Sequence, residues 1–250
     1  MSREELPSDL HWMQLQVEAL CRHDEAGRLV AWNGPPGEDP GAPLFFLGRT
    51  AHGSLWRFHR DLPDELVCEL GRLAAAEAGG GDLEKDPDRL GAIRDRIELQ
   101  LGATRIWRGP AFRFPAQLPD LGSVEWLEGS ELEELEASFP ALEGSTAGRE
   151  PCAVVRDGGA IASACYATTC PAAGAGLEAG VDTRPEQRGR GLAARVVAAW
   201  AGEVRRREML PLYSSSWDNR ASRAVARKLG LALFGSDLHF RNAEGARPFG

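Results

Sequence analysis

The chain has 250 residues, 43% of them hydrophobic and 26% charged, with a formal net charge of −8. That is the composition of an ordinary globular protein, long enough for one large domain or two small ones. The acidity argues against nucleic acid as a partner, no apolar run is long enough to cross a bilayer, and the polar start Met1-Ser2-Arg3-Glu4-Glu5 does not read as a leader. A cytoplasmic location, with no membrane partner, is the expectation.

The five cysteines are scattered, odd in number and without Cys-x-x-Cys spacing, which suits reduced thiols rather than a disulfide framework. The five histidines form no metal-ligating pair, so no metal is expected.

In chain order, Leu10, Met13, Val17 and Leu20 share one face of a helix over residues 9–21. Short strands are expected at 27–32, 43–48 and 54–58, the first two divided by Asn33-Gly34-Pro35-Pro36-Gly37. A helix starts at Pro63, with Asp64 and Glu65 at its positive end, and Gly79-Gly80-Gly81 stops it. A second helix is expected over 87–101, capped by Asp86 in front and Gly102 behind. Pro110, Pro115 and Pro119 mark a connector over 109–122, and the domain boundary falls there, giving units 1–115 and 120–250. Ser130 and Glu133 have the spacing of a capping box at the head of a short helix ending at Ser138.

Beyond Pro151 the pattern changes. Runs at 152–155 and 160–168 flank the hairpin signal Asp157-Gly158-Gly159, and a third strand is expected over 176–183. A helix over 189–205 carries Leu192, Val196, Ala199 and Trp200 on one face. A strand at 212–216, a helix over 219–229 closed by Gly230, and final strand structure over 231–240 complete the chain.

The run Arg184-Pro185-Glu186-Gln187-Arg188-Gly189-Arg190-Gly191-Leu192-Ala193 joins a strand to a long helix. Such a turn points unpaired backbone N–H groups, backed by the helix dipole, at one spot, which suits a phosphate. Gly189 and Gly191 let a ligand approach the backbone closely. Trp217-Asp218-Asn219-Arg220-Ala221-Ser222 and Lys228-Leu229-Gly230 follow about thirty residues later in strand–helix context. Together these motifs resemble the GCN5-related N-acetyltransferase family, over roughly the C-terminal half of the chain.

The resemblance implies a mixed α/β (α+β) fold, a mostly antiparallel splayed sheet flanked by helices, preceded here by a smaller α/β N-terminal domain. It implies acetyl-CoA as acyl donor, with its pyrophosphate on the backbone of Arg188, Gly189, Arg190, Gly191, Leu192 and Ala193. The pantetheine arm would pair with the backbone of Val181, Asp182 and Thr183. Asn219, with Ser222 on the same helix end, would touch the pantetheine, although Asn219 also reads as a plain N-cap. Arg188 and Arg190 could add charge near phosphates, or be solvated.

The implied chemistry is acetyl transfer to an amine, which must first lose a proton to a base. Glu178 and Asp182 share a strand face at period two. Glu178 is preferred as base because it lies nearer the expected thioester, and an exposed strand charge is the plain alternative. The family's tyrosine acid falls at Ala226, so no acid carries over; Tyr213, Ser216 and His239 are substitutes to weigh.

The leading expectation is an N-acetyltransferase acting on a small-molecule amine or amino acid. The competing one is a non-catalytic acyl-CoA sensor. The N-terminal half has no comparable turn, Gly48-Arg49-Thr50 and the glycine run at 79–81 being the nearest. It is expected to shape the acceptor pocket or a homodimer contact, as a degenerate copy of the fold or otherwise. Trp32, Trp56 and Trp107 could line that pocket or belong to the core.

Overall fold

The computed structural model describes residues 8–36, 41–77, 81–142, 147–170 and 176–243. In order, the elements are α1 (Asp9–Leu20), β1 (Cys21–His23), β2 (Leu29–Trp32), β3 (Phe45–Thr50), β4 (Gly53–Phe58), α2 (Asp64–Ala75), α3 (Leu90–Leu101), β5 (Thr104–Arg113) and β6 (Glu125–Leu127). Then come α4 (Glu134–Ser138), β7 (Cys152–Asp157), β8 (Ala160–Ala167), β9 (Gly176–Thr183), α5 (Leu192–Arg206), β10 (Leu210–Ser214), α6 (Arg220–Lys228) and β11 (Ala232–Asn242).

Nine strands form one sheet in the order β4-β3-β11-β5-β10-β9-β8-β7-β6, and β1 and β2 form a separate pair. The fold is mixed α+β, and its large sheet is mostly antiparallel. The sheet is continuous across residues 115–120, because β5, β3 and β4 from the N-terminal stretch extend it beyond β10.

Helices cover both faces. Leu44, Phe45, Leu47, Leu238 and Phe240 pack under α2 and α3, whereas Phe46 and Ala111 pack with Met13 and Val17 of α1. Alternate residues of a strand thus supply opposite layers. α5 buries Val196, Val197, Trp200, Ala201 and Val204. Each large side chain there stabilises by about 1.5–3 kcal/mol, more than any helix-propensity difference along the segment. Trp200 Nε1 also donates to the Pro151 carbonyl at 2.9 Å.

Several local expectations shift. Most of the stretch expected as connector is strand: β5 runs through Pro110 to Arg113. The Pro110 carbonyl accepts from Ser215 N, so its donorless nitrogen faces the side where β10 departs, not the β11 ladder. The cap of α3 is Arg89 and makes no side-chain cap bond; Asp86 instead pairs with Arg108 at 2.9 Å. Gly102 closes α3 at φ 83° as expected. The capping box lies two residues earlier than expected, on Glu128 and Glu131, and opens a 3-10 turn over Gly129–Glu133 rather than an α-helix. β1 and β6 are each three residues long, too short for a periodicity signal. α2 ends at Ala75, and the stop expected at Gly79 and Gly80 lies outside the described residues.

Candidate active site

β9 and β10 are parallel, and they pair only at Leu210–Gly176, Pro211–Leu177 and Leu212–Glu178. β9 continues to Thr183 along β8, and β10 to Ser214 along β5. The two strands therefore part immediately after Glu178. The side of β9 that faces the gap has no strand partner over 179–183.

A cavity of about 770 Å³ occupies the gap. Val181, Asp182 and Thr183 line it from β9; Arg188, Gly189, Gly191, Leu192 and Ala193 line it from the turn; Asn219 and Ser222 line it from the head of α6. Ser214, Ser215 and Ser216 form the β10 wall, and Trp107 lies at the far end. Trp107 falls at the register of His239 and Gly109 at that of Asp237, on the α1 face of the sheet. The slot thus passes between β9 and β10 from one face to the other.

The geometry of the turn is of a kind that suits an anion. A 3-10 turn over Pro185–Gln187 leads through Arg188 to Gly189 at φ 77° and Gly191 at φ 81°. Gly191 caps α5 with no side-chain acceptor, and the first intrahelical bond of its type runs from Arg195 N to the Gly191 carbonyl. The N–H groups of the first turn are left pointing into the cavity, with the helix dipole behind them. A Cβ at Gly191 would lie 2.5 Å from Lys228 Nζ, so the last turn of α6 places an ammonium directly over the turn. Lys228 lines the cavity and has no ion-pair partner among the described residues.

Arg190 is placed elsewhere. Its guanidinium turns to Gln187 and to Asp157, at 3.4 Å, and does not line the cavity. Asn219 is an N-cap, its Oδ1 accepting from Ser222 N at 3.0 Å, and it lines the cavity as well.

Glu178 sits at the point of divergence and is only 4% exposed. Its Oε1 accepts from Ser214 N at 2.5 Å, across the opening, and its Oε2 from Gln16 Nε2 at 3.1 Å. Burial penalises the ionised form more than these two donors favour it, which pushes the carboxyl up to about 7. The second strand carboxylate, Asp182, is occupied: Tyr166 donates its hydroxyl to Asp182 Oδ2 at 2.5 Å. Tyr166 reaches it by lying across Gly180, where a Cβ would meet the ring at 2.5 Å.

Among the substitutes for the missing acid, Tyr213 is buried in the cavity wall with its hydroxyl 2.7 Å from Ser222 Oγ, and burial raises its pKa further. Ser216 lines the cavity. His239 is buried on the α1 face, stacked on Trp107 at 4.9 Å, and burial lowers it to about 3, so it is a neutral imidazole and not an acid at working pH. Ala226 is core.

Sequence reasoning missed three residues here. Gln16 falls within the apolar stripe of α1, between Met13 and Val17, and is fully buried. Asp237 is a carboxylate inside the apolar run of β11. Lys228 enters the sequence reading as part of Lys228-Leu229-Gly230, with no role at the glycine turn. A polar residue on an otherwise apolar face was the available signal for the first two.

Residues 151–235 match the family model of GNAT acetyltransferases. That match lies within the C-terminal half of the chain and spans the glycine turn, α5 and α6. No curated protein matches the chain significantly. Among solved structures, a GNAT-family acetyltransferase from Colwellia psychrerythraea aligns at 10% identity over 94% of this chain and 96% of that one, TM-score 0.49. A GCN5-related N-acetyltransferase-like protein from Streptococcus suis aligns at 17% identity over 80% and 84%, TM-score 0.46. A GNAT-family protein from Novosphingobium aromaticivorans aligns at 23% identity, TM-score 0.45, over 55% of this chain and 66% of that one, just under two thirds of its length.

Proposed function

We propose that this protein is an acetyl-CoA-dependent N-acetyltransferase acting on the amine of a small molecule or amino acid. The observation that carries the reading is the juxtaposition of a cavity lined by an anion-suited turn with a buried carboxyl, Glu178, at the point where β9 and β10 part to open that cavity. The first-turn N–H groups of α5, with Lys228 and Arg188 beside them, hold the pyrophosphate of acetyl-CoA. The unpaired edge of β9 over 179–183 bonds the pantetheine arm as a strand would, and its N–H groups beyond Glu178 polarise the thioester carbonyl.

Glu178 is the base. An aliphatic ammonium has a pKa near that of lysine, about 10.4, so it arrives protonated. The Glu178 carboxylate takes one proton. The freed lone pair attacks the thioester carbon and the C–N bond forms; the nitrogen, now positively charged, sheds its second proton to solvent, and the C–S bond breaks with its electrons leaving on sulfur. Tyr213, a hydroxyl of the cavity wall that burial keeps protonated across the working range, is the proton donor to the departing thiolate in this reading.

Calorimetric titration with acetyl-CoA, repeated on Gly191→Glu, tests the site. Binding that the variant abolishes supports the reading, and thiol release with an amine panel then tests turnover. Wild-type protein that binds no acetyl-CoA overturns it.

A further inference from the structure

Glu178 is held by groups that the chain brings from elsewhere. Its backbone is fixed just beyond the end of β8: its N–H donates to Thr169 Oγ1 at 3.0 Å, and its carbonyl accepts from Thr168 N at 2.9 Å. Among the described residues its carboxyl has two donors, the Ser214 N–H of β10 and Gln16 Nε2 of α1. The first is backbone and comes with the strand whatever its sequence. The second is the donor that a choice of side chain supplies.

Gln16 is not the residue that packing would select. Met13, Val17 and Leu20, around it on the buried side of α1, are apolar. An apolar side chain would fill the same space, whereas the glutamine buries an Oε1 with no hydrogen-bond partner among the described residues. An unpaired buried polar atom destabilises the fold, so packing alone does not account for it. The helix that carries it is seated closely. A Cβ at Gly48 of β3 or at Gly235 of β11 would strike Met13, and one at Gly176 of β9 would lie 3.3 Å from Ala19 Cβ. These glycines let α1 lie down on the sheet, which brings Gln16 to the carboxyl.

The donor type suits a base. An ionised carboxylate only accepts, and an amide NH2 donates to it without carrying charge. A lysine or arginine in that place would hold the carboxylate ionised and weaken it as a base. A neutral donor fixes the direction of the carboxyl and leaves burial as the larger influence on its proton affinity. The neighbours that feel the Glu178 charge are Asp237 of β11 and Tyr213 of β10, and burial keeps both neutral.

We propose that Gln16 is a positioning residue for the catalytic base, holding the Glu178 carboxyl across the point where β9 and β10 part. It does not line the cavity and acts through Glu178 alone. The proposal rests on the acetyltransferase reading and gives the N-terminal stretch a part in catalysis.

The test compares the full-length wild type with Gln16→Met, which keeps an unbranched side chain and removes the donor. Acetyl transfer to butylamine is followed by thiol release from mildly acid to alkaline pH. Expected is a kcat midpoint moved upward by about one to two pH units, the effect of losing a hydrogen bond to a charged group. Acetyl-CoA affinity should stay within about twofold. In a Glu178→Gln background, Gln16→Met should change kcat by less than about twofold, because the group through which it acts is gone.

A second readout needs no turnover. In the empty protein, the infrared band of the protonated Glu178 carboxyl, assigned by its loss in Glu178→Gln, should persist to higher pH in Gln16→Met by the same shift. An unmoved midpoint in either titration, or an equal fall in kcat in both backgrounds, overturns the proposal. If Gln16→Met does not fold, Gln16→Leu serves the same comparison. Absence of turnover with a wider panel of amines would sink the acetyltransferase reading, and the infrared midpoint would still decide whether Gln16 holds Glu178.

Discussion

Glu178 is a carboxyl held where water cannot stabilise its charge. Its affinity for protons is a balance between burial and two hydrogen bonds, and burial wins. The rate of acetyl transfer should therefore rise with pH through a midpoint near 7, the value to which burial pushes this carboxyl. Glu178→Gln should lower kcat by about a hundredfold or more while leaving acetyl-CoA affinity intact, measured by thiol release and calorimetry. The same group links stability to pH. Between the ordinary glutamate value of 4.5 and about 7 the folded state binds more protons than the unfolded state. Stability is thus highest at the acid end of that window and falls as pH rises. The loss is complete above about 7 and amounts to on the order of 3 kcal/mol. Glu178→Gln should remove that slope, so the variant should melt higher than the wild type at mildly alkaline pH. Equal melting temperatures there would contradict the account.

At the scale of elements, the informative joint is the one between β9 and α5. Gly189 and Gly191 both hold positive φ, which costs a residue with a Cβ about 1–2 kcal/mol. They differ in surroundings: nothing lies within 4 Å of a Cβ at Gly189, whereas one at Gly191 displaces Lys228. Gly191→Ala should therefore weaken acetyl-CoA binding more than Gly189→Ala does, at similar cost in stability. Lys228→Ala should also weaken it, and should flatten the dependence of affinity on salt, because a partly screened charge is lost. Calorimetry at two ionic strengths checks both. This joint was legible in the sequence because its residues are contiguous: proline, glycines and helix start follow one another on the chain. The hairpin at Asp157-Gly158-Gly159 was legible for the same reason, both glycines taking positive φ. β5 was misread because Pro110 and Pro115 signal a break. Only the pairing on either side shows that Pro110 turns its missing donor away from β11.

At the scale of the molecule, the sheet is one object. β5 lies between β10 and β11, and β3 and β4 extend β11 outward. A chain of residues 120–250 alone would leave β10 without its β5 neighbour and β11 with two open edges, a poor state for a strand of 11 residues. It should fail to give a cooperative melting transition or the resonance dispersion of a folded protein, whereas the full chain should melt in one step. A folded fragment of that length would show instead that the N-terminal strands are an addition to a self-sufficient unit.

The sequence by itself determined the local chemistry of the site: the glycine turn, the capped α6, and a glutamate on the strand before the turn. Each depends on backbone conformations and spacings that neighbouring residues dictate. Tertiary structure alone decided what surrounds Glu178. Gln16 is 162 residues away in sequence, and Asp237 lies on the last strand, which β5 separates from the slot. No periodicity joins such residues, because their meeting is set by strand order and by the helix laid across it. The sequence named the base, and the packing of α1 and β10 against it supplied the surroundings that tune it.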